Sequence, residues 1–138
     1  MSSDNSTEAA LDTLYRERAL YEVERPKIEE AGIAALRRLY DVAQRDTGQS
    51  RVIARFLLGC YNGDRFPFDL TDFRIIDRAL FDDCMAVLKM DRQPQQEVHC
   101  YFEQGGKNFE KMAKDWGLAD LWRDKIELNE YRERYGKN

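Results

Sequence analysis

Apolar residues recur along most of this chain at steps of three and four residues, a spacing that places side chains along one face of an α-helix. Residues 27–45 show the period clearly, because Ile28, Leu36, Leu39 and Val42 fall on one side. The next two apolar segments repeat it, and their spacing is helical rather than strand-like. The pattern therefore predicts an all-α fold: a single compact bundle of five or six helices.

Turn-forming residues divide this helical pattern into separate elements. Pro26 suits the first turn of a helix, where its missing N–H costs nothing, so we expect one helix to end near Glu24 and another to begin beside Pro26. Further breaks are expected at 46–48, 62–63, 105–106 and Gly117, where glycine and asparagine favour turns. The predicted core takes its members from the resulting stripes: Leu36, Leu39, Phe56, Leu57, Phe73, Ile76, Leu80, Val87, Phe109 and Trp116.

The stretch 46–90 is predicted to be a helical hairpin around which the rest of the chain packs. Its turn carries the sequence FPFDLTD, in which two aromatic side chains flank a proline. Asp69 or Thr71 can accept a hydrogen bond from a free backbone N–H at the start of the second helix, and Asp72 then lies in its first turn. We therefore expect one long helix to follow directly from this turn.

The two ends of the chain differ in composition from the middle. Residues 1–25 form a predicted acidic helix or arm, residues 26–117 the helical core domain, and residues 118–138 a charged helix. Apolar residues on the last helix, Trp122 and Tyr131 among them, spread too widely for one tight stripe. We expect part of that helix to be exposed or to contact a partner.

Charge and cysteine content narrow the classes of function. The net charge is −4, and residues 26–117 hold 14 basic and 15 acidic side chains, so no region has the basic excess expected of a phosphate-binding surface. Three widely spaced cysteines predict neither a disulfide framework nor a cysteine-rich zinc site. Because the sequence shows neither a leader segment nor a long apolar run, we expect a cytoplasmic protein that does not enter the membrane.

A cluster of charged residues around the hairpin turn is the most distinctive polar feature. Arg51, Arg55, Asp64, Asp69 and Asp72 could form a network there. Such a network would act first as a structural lock, although the carboxylates could also hold a divalent ion. We favour the structural interpretation, because most of these acids have an evident role as caps or helical ion pairs.

The sequence contains few residues suited to catalysis or to metal binding. His99 is the single histidine, and its neighbours make a poor ligand set, so we expect a structural role for it. No complete set of catalytic residues is found at usable spacing. The sequence thus predicts no catalytic residue, no metal site and no cofactor.

Three segments resemble a known protein family: DTGQS at 46–50, the F-x-FDLTD turn, and D-R-x-L-F-D-D-C at 77–84. The resemblance covers about residues 33–118. The family comprises small proteobacterial proteins that are usually met on plasmids and integrative elements and are known only as a domain of unknown function. The resemblance implies a bacterial, cytoplasmic, mobile-element setting, and it assigns no activity to any residue.

Three hypotheses of function follow, and the first is a non-enzymatic accessory protein that acts through protein–protein contacts. Its partner would be another copy of the chain or a host complex. The second is a nucleic-acid-associated regulator that uses a patch of arginines at 37, 38, 45, 51 and 55, and net acidity argues against it. The third is a carboxylate enzyme with a divalent metal. The candidate interaction residues are Arg51, Arg55, Asp64, Asp69, Asp72, Trp122 and Tyr131.

Overall fold

A computed structural model describes residues 2–136, with side chains for residues 5–121 and 126–136. The described residues form helices joined by turns and contain no strand, which confirms the all-α prediction. Short 3₁₀ segments cover Leu70–Arg74 and Val98–Tyr101. The five α-helices are α1 Ser2–Ala43, α2 Gly48–Tyr61, α3 Arg78–Asp91, α4 Gly105–Asp115 and α5 Leu121–Tyr135.

Helix α1 is continuous through Pro26, so the predicted break at that residue is wrong. Proline removes one backbone hydrogen bond, the one that would reach the carbonyl of Glu22. Pro26 and Glu22 are both exposed, so water can satisfy that carbonyl. Arg25 also spans the site, with ion pairs of 3.3 Å to Glu22 and 3.0 Å to Glu29. These features allow one helix to form where the sequence predicted two.

Helices α1 and α3 pack against each other in antiparallel directions. Gly32 lies against Met90, and a Cβ atom at position 32 would be only 2.5 Å from the Cβ of Met90. Six residues further along α1, Arg38 forms a 2.8 Å ion pair with Asp83 on α3. The missing side chain therefore permits the close approach, and the ion pair lies further along the same interface.

Helix α2 follows α1 through a short turn and completes the centre of the core. Thr47 caps α2, since its hydroxyl accepts a hydrogen bond of 3.0 Å from the Ser50 amide. Most of the predicted core is buried: Leu36, Leu39, Phe56, Leu57, Ile76, Val87 and Phe109. Phe73, Leu80 and Trp116 are instead partly buried and pack against that core. The Trp116 indole remains at the edge because its N–H donates to the Ala43 carbonyl at 2.9 Å.

The second arm of the predicted hairpin is not one helix. Asp69 caps only the 3₁₀ segment Leu70–Arg74, and a new cap at Asp77 begins α3. The Asp77 carboxylate accepts from the Leu80 amide at 2.9 Å, and its own amide donates to the Gln49 side chain at 2.7 Å. Asp77 therefore caps α3 from an extended backbone conformation, and the helix starts there and not at the turn.

Helix α4 is seated on the 3₁₀ segment Val98–Tyr101. A side chain at Gly105 would collide with the His99 carbonyl, so only glycine permits this contact. The His99 ring packs edge-on against Tyr61 at a centroid distance of 4.9 Å and against Phe109 at 6.4 Å. The histidine thus packs within an aromatic cluster beneath the start of α4.

Of the helices in the described part of the chain, none is both long and apolar enough to cross a membrane.

The Gly32 contact generates a stability prediction. Replacing Gly32 with alanine forces the new methyl group into Met90, and we expect the free energy of unfolding to fall by about 1–3 kcal/mol. Urea denaturation followed by circular dichroism measures the change. Gly48→Ala is the matched control, because a Cβ there meets no atom within 4 Å, and it should stay within about 0.5 kcal/mol of wild type. Equal stability of the two variants would contradict the close α1–α3 contact.

Candidate functional site

An open cleft of about 170 Å³ lies between the hairpin turn and the segment that leads into α5. Arg55 projects into it from α2 and pairs with Asp72 at 3.5 Å. Phe66 and Leu118 contribute apolar walls, and Asp69 lies at the rim. The cleft therefore combines one arginine, two carboxylates and an apolar lining. The full lining is Arg55, Phe66, Pro67, Asp69, Asp72, Leu118, Ala119 and Leu121.

The carboxylates of this cleft already serve the local backbone. Asp69 accepts 2.7 Å and 2.9 Å hydrogen bonds from the hydroxyl and the amide of Thr71. These bonds, the hydroxyl bond first, lower the pKa of Asp69 below its ordinary value, and the nearby positive charges of Arg74 and Arg55 add to the effect. Asp69 is therefore held as a capping anion, which favours the structural interpretation of the turn.

The structure brings together only part of the predicted polar network. Arg55, Asp69 and Asp72 share the cleft. Arg51 instead donates to the Trp116 carbonyl at 3.4 Å, and Asp64 is exposed in the turn after α2. The predicted five-residue network is thus divided between separate places.

The two aromatic candidates lie on α5. Tyr131 is exposed and its ring packs against Tyr135 at a centroid distance of 5.0 Å. The Trp122 side chain lies outside the described residues.

Arg65 forms a clamp that the sequence did not reveal. Its guanidinium contacts Glu110 on α4 at 2.6 Å and Asp120 before α5 at 2.8 Å, and it also lies 4.8 Å from the Phe66 ring centre. Its backbone carbonyl accepts from the Leu121 amide at 3.0 Å. Hydrogen bonds to Glu110 and Asp120 raise the pKa of the guanidinium, so the clamp stays charged. Arg65 therefore fixes where α5 leaves the body.

The predicted arginine patch is divided at four of its positions, 37, 38, 51 and 55, all within the described part of the chain. Arg38 pairs with Asp83 on α3, whereas Arg37 lies 6.0 Å from the ring centre of Phe102, on a different side of α1. Arg55 and Arg51 are engaged in and near the cleft. These four arginines therefore do not share one surface.

The acidic residues are also dispersed. Asp77 caps α3, Asp83 pairs with Arg38, and Asp72 pairs with Arg55. Over the side chains that the structure describes, no three His, Cys, Asp or Glu groups lie close enough together to hold a metal ion. The acid-rich sequence from 64 to 83 thus gives no shared ligand set there.

A second, apolar groove of about 350 Å³ runs beside the hairpin turn. Phe56, Phe68 and Phe73 line it, and Leu88 forms part of its exposed edge. Asp91 stands at one end, where burial raises the pKa of its carboxyl group, helped by the negative charge of Glu97. The fold thus retains a carboxylate where a neutral group would be easier to bury.

A family model of unknown function, DUF7673, matches residues 33–117. The chain belongs to this family. The DUF7673 region begins within α1 and ends just after α4, so it spans most of the packed body and leaves out about the first three quarters of α1 and all of α5. Comparison with curated proteins and with solved structures gave no match. The family therefore assigns no activity, and any function must be argued from the surfaces described above.

The Arg65 clamp leads to a prediction about α5. Arg65→Gln leaves Glu110 and Asp120 without their shared cation, and we expect the free energy of unfolding to fall by about 1–3 kcal/mol. Limited proteolysis should also cut sooner near residues 118–121. The control is Arg45→Gln, since that arginine is exposed beyond the end of α1. If the two variants resist urea and protease equally, the clamp does not hold α5.

The Asp91 carboxyl predicts a pH-dependent stability difference. Its pKa is raised in the folded state, so its ionised form is destabilising, and this cost develops as pH rises through the ordinary aspartate range and above it. Asp91→Asn should therefore be more stable than wild type at neutral pH and equal to it in strong acid. Thermal unfolding across a pH series measures this, with exposed Asp64→Asn as control. A constant difference at all pH values would refute the assignment.

Proposed function

We propose that this DUF7673 protein is a non-enzymatic accessory protein that acts through protein–protein contacts made by its two terminal helices. The observation that carries the proposal is the exposure of apolar side chains along both helices, away from the packed body. Exposed apolar groups aligned on one helix face are typical of surfaces that a partner covers. The body would then serve as a platform that presents the two helices.

The first half of α1 supplies one such surface. Every residue from 5 to 20 is exposed, so this segment, which we call the arm, projects from the body. Leu11, Leu14 and Tyr15 lie close together on one face of it and are 47%, 55% and 66% exposed. At about 1.5 Å per residue the arm is roughly 24 Å long. It therefore presents an extended helical surface to a partner.

Helix α5 supplies the other surface. Leu121, Leu128, Tyr131 and Tyr135 follow one another at steps of seven, three and four residues, so they share one face. All four are exposed. The Arg65 clamp holds the beginning of this helix against the body, which supports a role for α5 as a presented element.

The biological setting forms part of the proposal. The resemblance in segments 46–50, 66–72 and 77–84 supports an origin in a bacterial mobile element and a cytoplasmic location. In that setting the partner would be another protein encoded by the element or a host complex. Dispersed arginines and dispersed carboxylates support contact with protein over contact with nucleic acid and over metal-dependent catalysis.

The proposal predicts that a single charge on the α5 stripe abolishes partner capture. Leu128→Asp places a carboxylate within the stripe, whereas Ile126→Asp places the same group on another face of the helix. The two residues are 49% and 50% exposed, so neither variant should alter folding. Affinity purification of the tagged full chain from its source bacterium, read by quantitative mass spectrometry, compares them with wild type.

We expect Leu128→Asp to lose the proteins that wild type and Ile126→Asp retain. If wild type retains no specific protein, or if both variants retain the same set, α5 is not the contact surface. Thermal unfolding of each variant confirms that any loss reflects the surface and not the fold.

A further inference from the structure

The apolar face of the arm continues the face by which α1 packs into the core. Within the body this face holds Gly32, Ala35 and Leu39, which are buried. Residues on the same face recur at steps of four and three towards the beginning of the helix. The full series is Leu11, Leu14, Arg18, Tyr21, Arg25, Ile28, Gly32, Ala35 and Leu39. This is the heptad spacing by which helices pair side by side.

The packing partners of this face end where the arm begins. Tyr21 is half-buried, and its hydroxyl lies 3.4 Å from the Gln93 carbonyl, just beyond the end of α3. From residue 20 back to residue 5 every side chain is exposed. A lone helix of this length is marginal in water, because most helical stability in proteins comes from packing of an apolar face. The arm is therefore a helix whose packing surface is uncovered.

We propose that a second copy of this chain covers the arm, with the two arms paired in antiparallel directions. This inference rests on the proposed function, because it names the partner of one of the two contact helices. The crossing point would lie between residues 12 and 13, so that Leu11 of each copy packs against Leu14 of the other. Tyr15 of each copy would cover the edge of this small apolar layer.

The order of charges along the arm decides both the occupant and the direction. Glu8 precedes the leucine pair and Arg18 follows it, whereas Asp12 and Arg16 lie on the other side of the helix. In a parallel pair each charge would lie beside its own copy, and like charges repel. In the antiparallel pair Glu8 of each copy comes within reach of Arg18 of the other.

The internal ion pair of the arm lies away from the leucine face and leaves that face open. Asp12 contacts Arg16 of the same helix at 3.0 Å, and both side chains are largely exposed at 60% and 78%. Such a pair contributes little to stability and does not fix either side chain. Arg18 lies on the leucine face itself, and Glu22, the acid one turn further along the same helix, is paired with Arg25 at 3.3 Å. The interface is short, so we expect a reversible dimer that dissociates on dilution.

Sedimentation equilibrium of the full chain over a wide concentration series tests the dimer. Wild type should rise from the mass of one chain, 16.3 kDa, towards twice that value. Leu14→Asp should remain at the single-chain mass throughout. Leu20→Asp, on the opposite face of the same helix and 62% exposed, should behave as wild type. A wild type that stays monomeric, or equal behaviour of the two variants, overturns the proposal.

Disulfide trapping tests the antiparallel direction. Cys100 is the exposed cysteine and is first replaced by serine, while burial raises the pKa of Cys60 and of Cys84 to about 12 and protects both from oxidation. Thr7→Cys and Arg18→Cys chains are then oxidised separately and as a mixture. The antiparallel pair predicts that the mixed 7–18 disulfide forms fastest. Faster 7–7 or 18–18 products would show a parallel pair and overturn the proposal.

Different results would contradict the arm pairing and the proposed function. If the chain is monomeric but α5 still retains a partner, the arm pairing is wrong and the proposed function stands. If the chain forms the antiparallel dimer but α5 variants change no capture, the assignment of α5 as a contact helix is wrong and the arm pairing stands.

Discussion

The close approach of α1 and α3 at Gly32 is the constraint on which the rest of the fold depends. Because position 32 has no side chain, Met90 can lie directly against the α1 backbone and complete the core from that side. Any larger residue would push α3 outwards. Leu36 and Leu39, on the same α1 face, would then lose their buried environment, and the ion pair between Arg38 and Asp83 would lengthen. The close packing of α1 and α3 in the core therefore requires a residue without a side chain at position 32.

Several charged side chains in this protein hold segments of backbone in place. Asp69 and Asp77 each cap a helical segment, and Arg65 joins the hairpin turn to α4 and to the start of α5. Such roles distribute the acids and bases over the whole surface and do not concentrate them in one cleft. This distribution explains why a sequence that is rich in carboxylates gives so little sign of catalytic or metal-binding chemistry.

Much of the fold could be predicted from local periodicity, and the errors arose where distant residues decide local structure. The helical period of α2 and the burial of Phe56 and Leu57 depend on neighbours in sequence, so they were predictable. The start of α3 was not, because both Asp69 and Asp77 can cap a helix, and the Asp77 amide also binds Gln49, 28 residues away. Pro26 likewise is a good first-turn residue, and only its exposure shows why α1 can continue.

In the candidate site, too, contacts between residues close in sequence could be predicted and contacts between distant residues could not. Arg55 and Asp72 lie on elements joined by one turn, so their meeting could be predicted. Arg65 could not be identified, because its partners are 45 and 55 residues further along the chain and no spacing rule connects them. The family match covers residues 33–117, so it includes neither the arm nor α5.

Helix α1 is unbroken through Pro26, so the arm and the core part of α1 form one continuous helix. An arm that continues a core helix keeps the direction and rotation of that helix relative to the body, so its apolar face is presented in one orientation. At about 1.5 Å per residue, a pair of arms crossing near residue 12 would hold two bodies roughly 25 Å apart. The length of the arm would then set the distance between the surfaces of the two bodies.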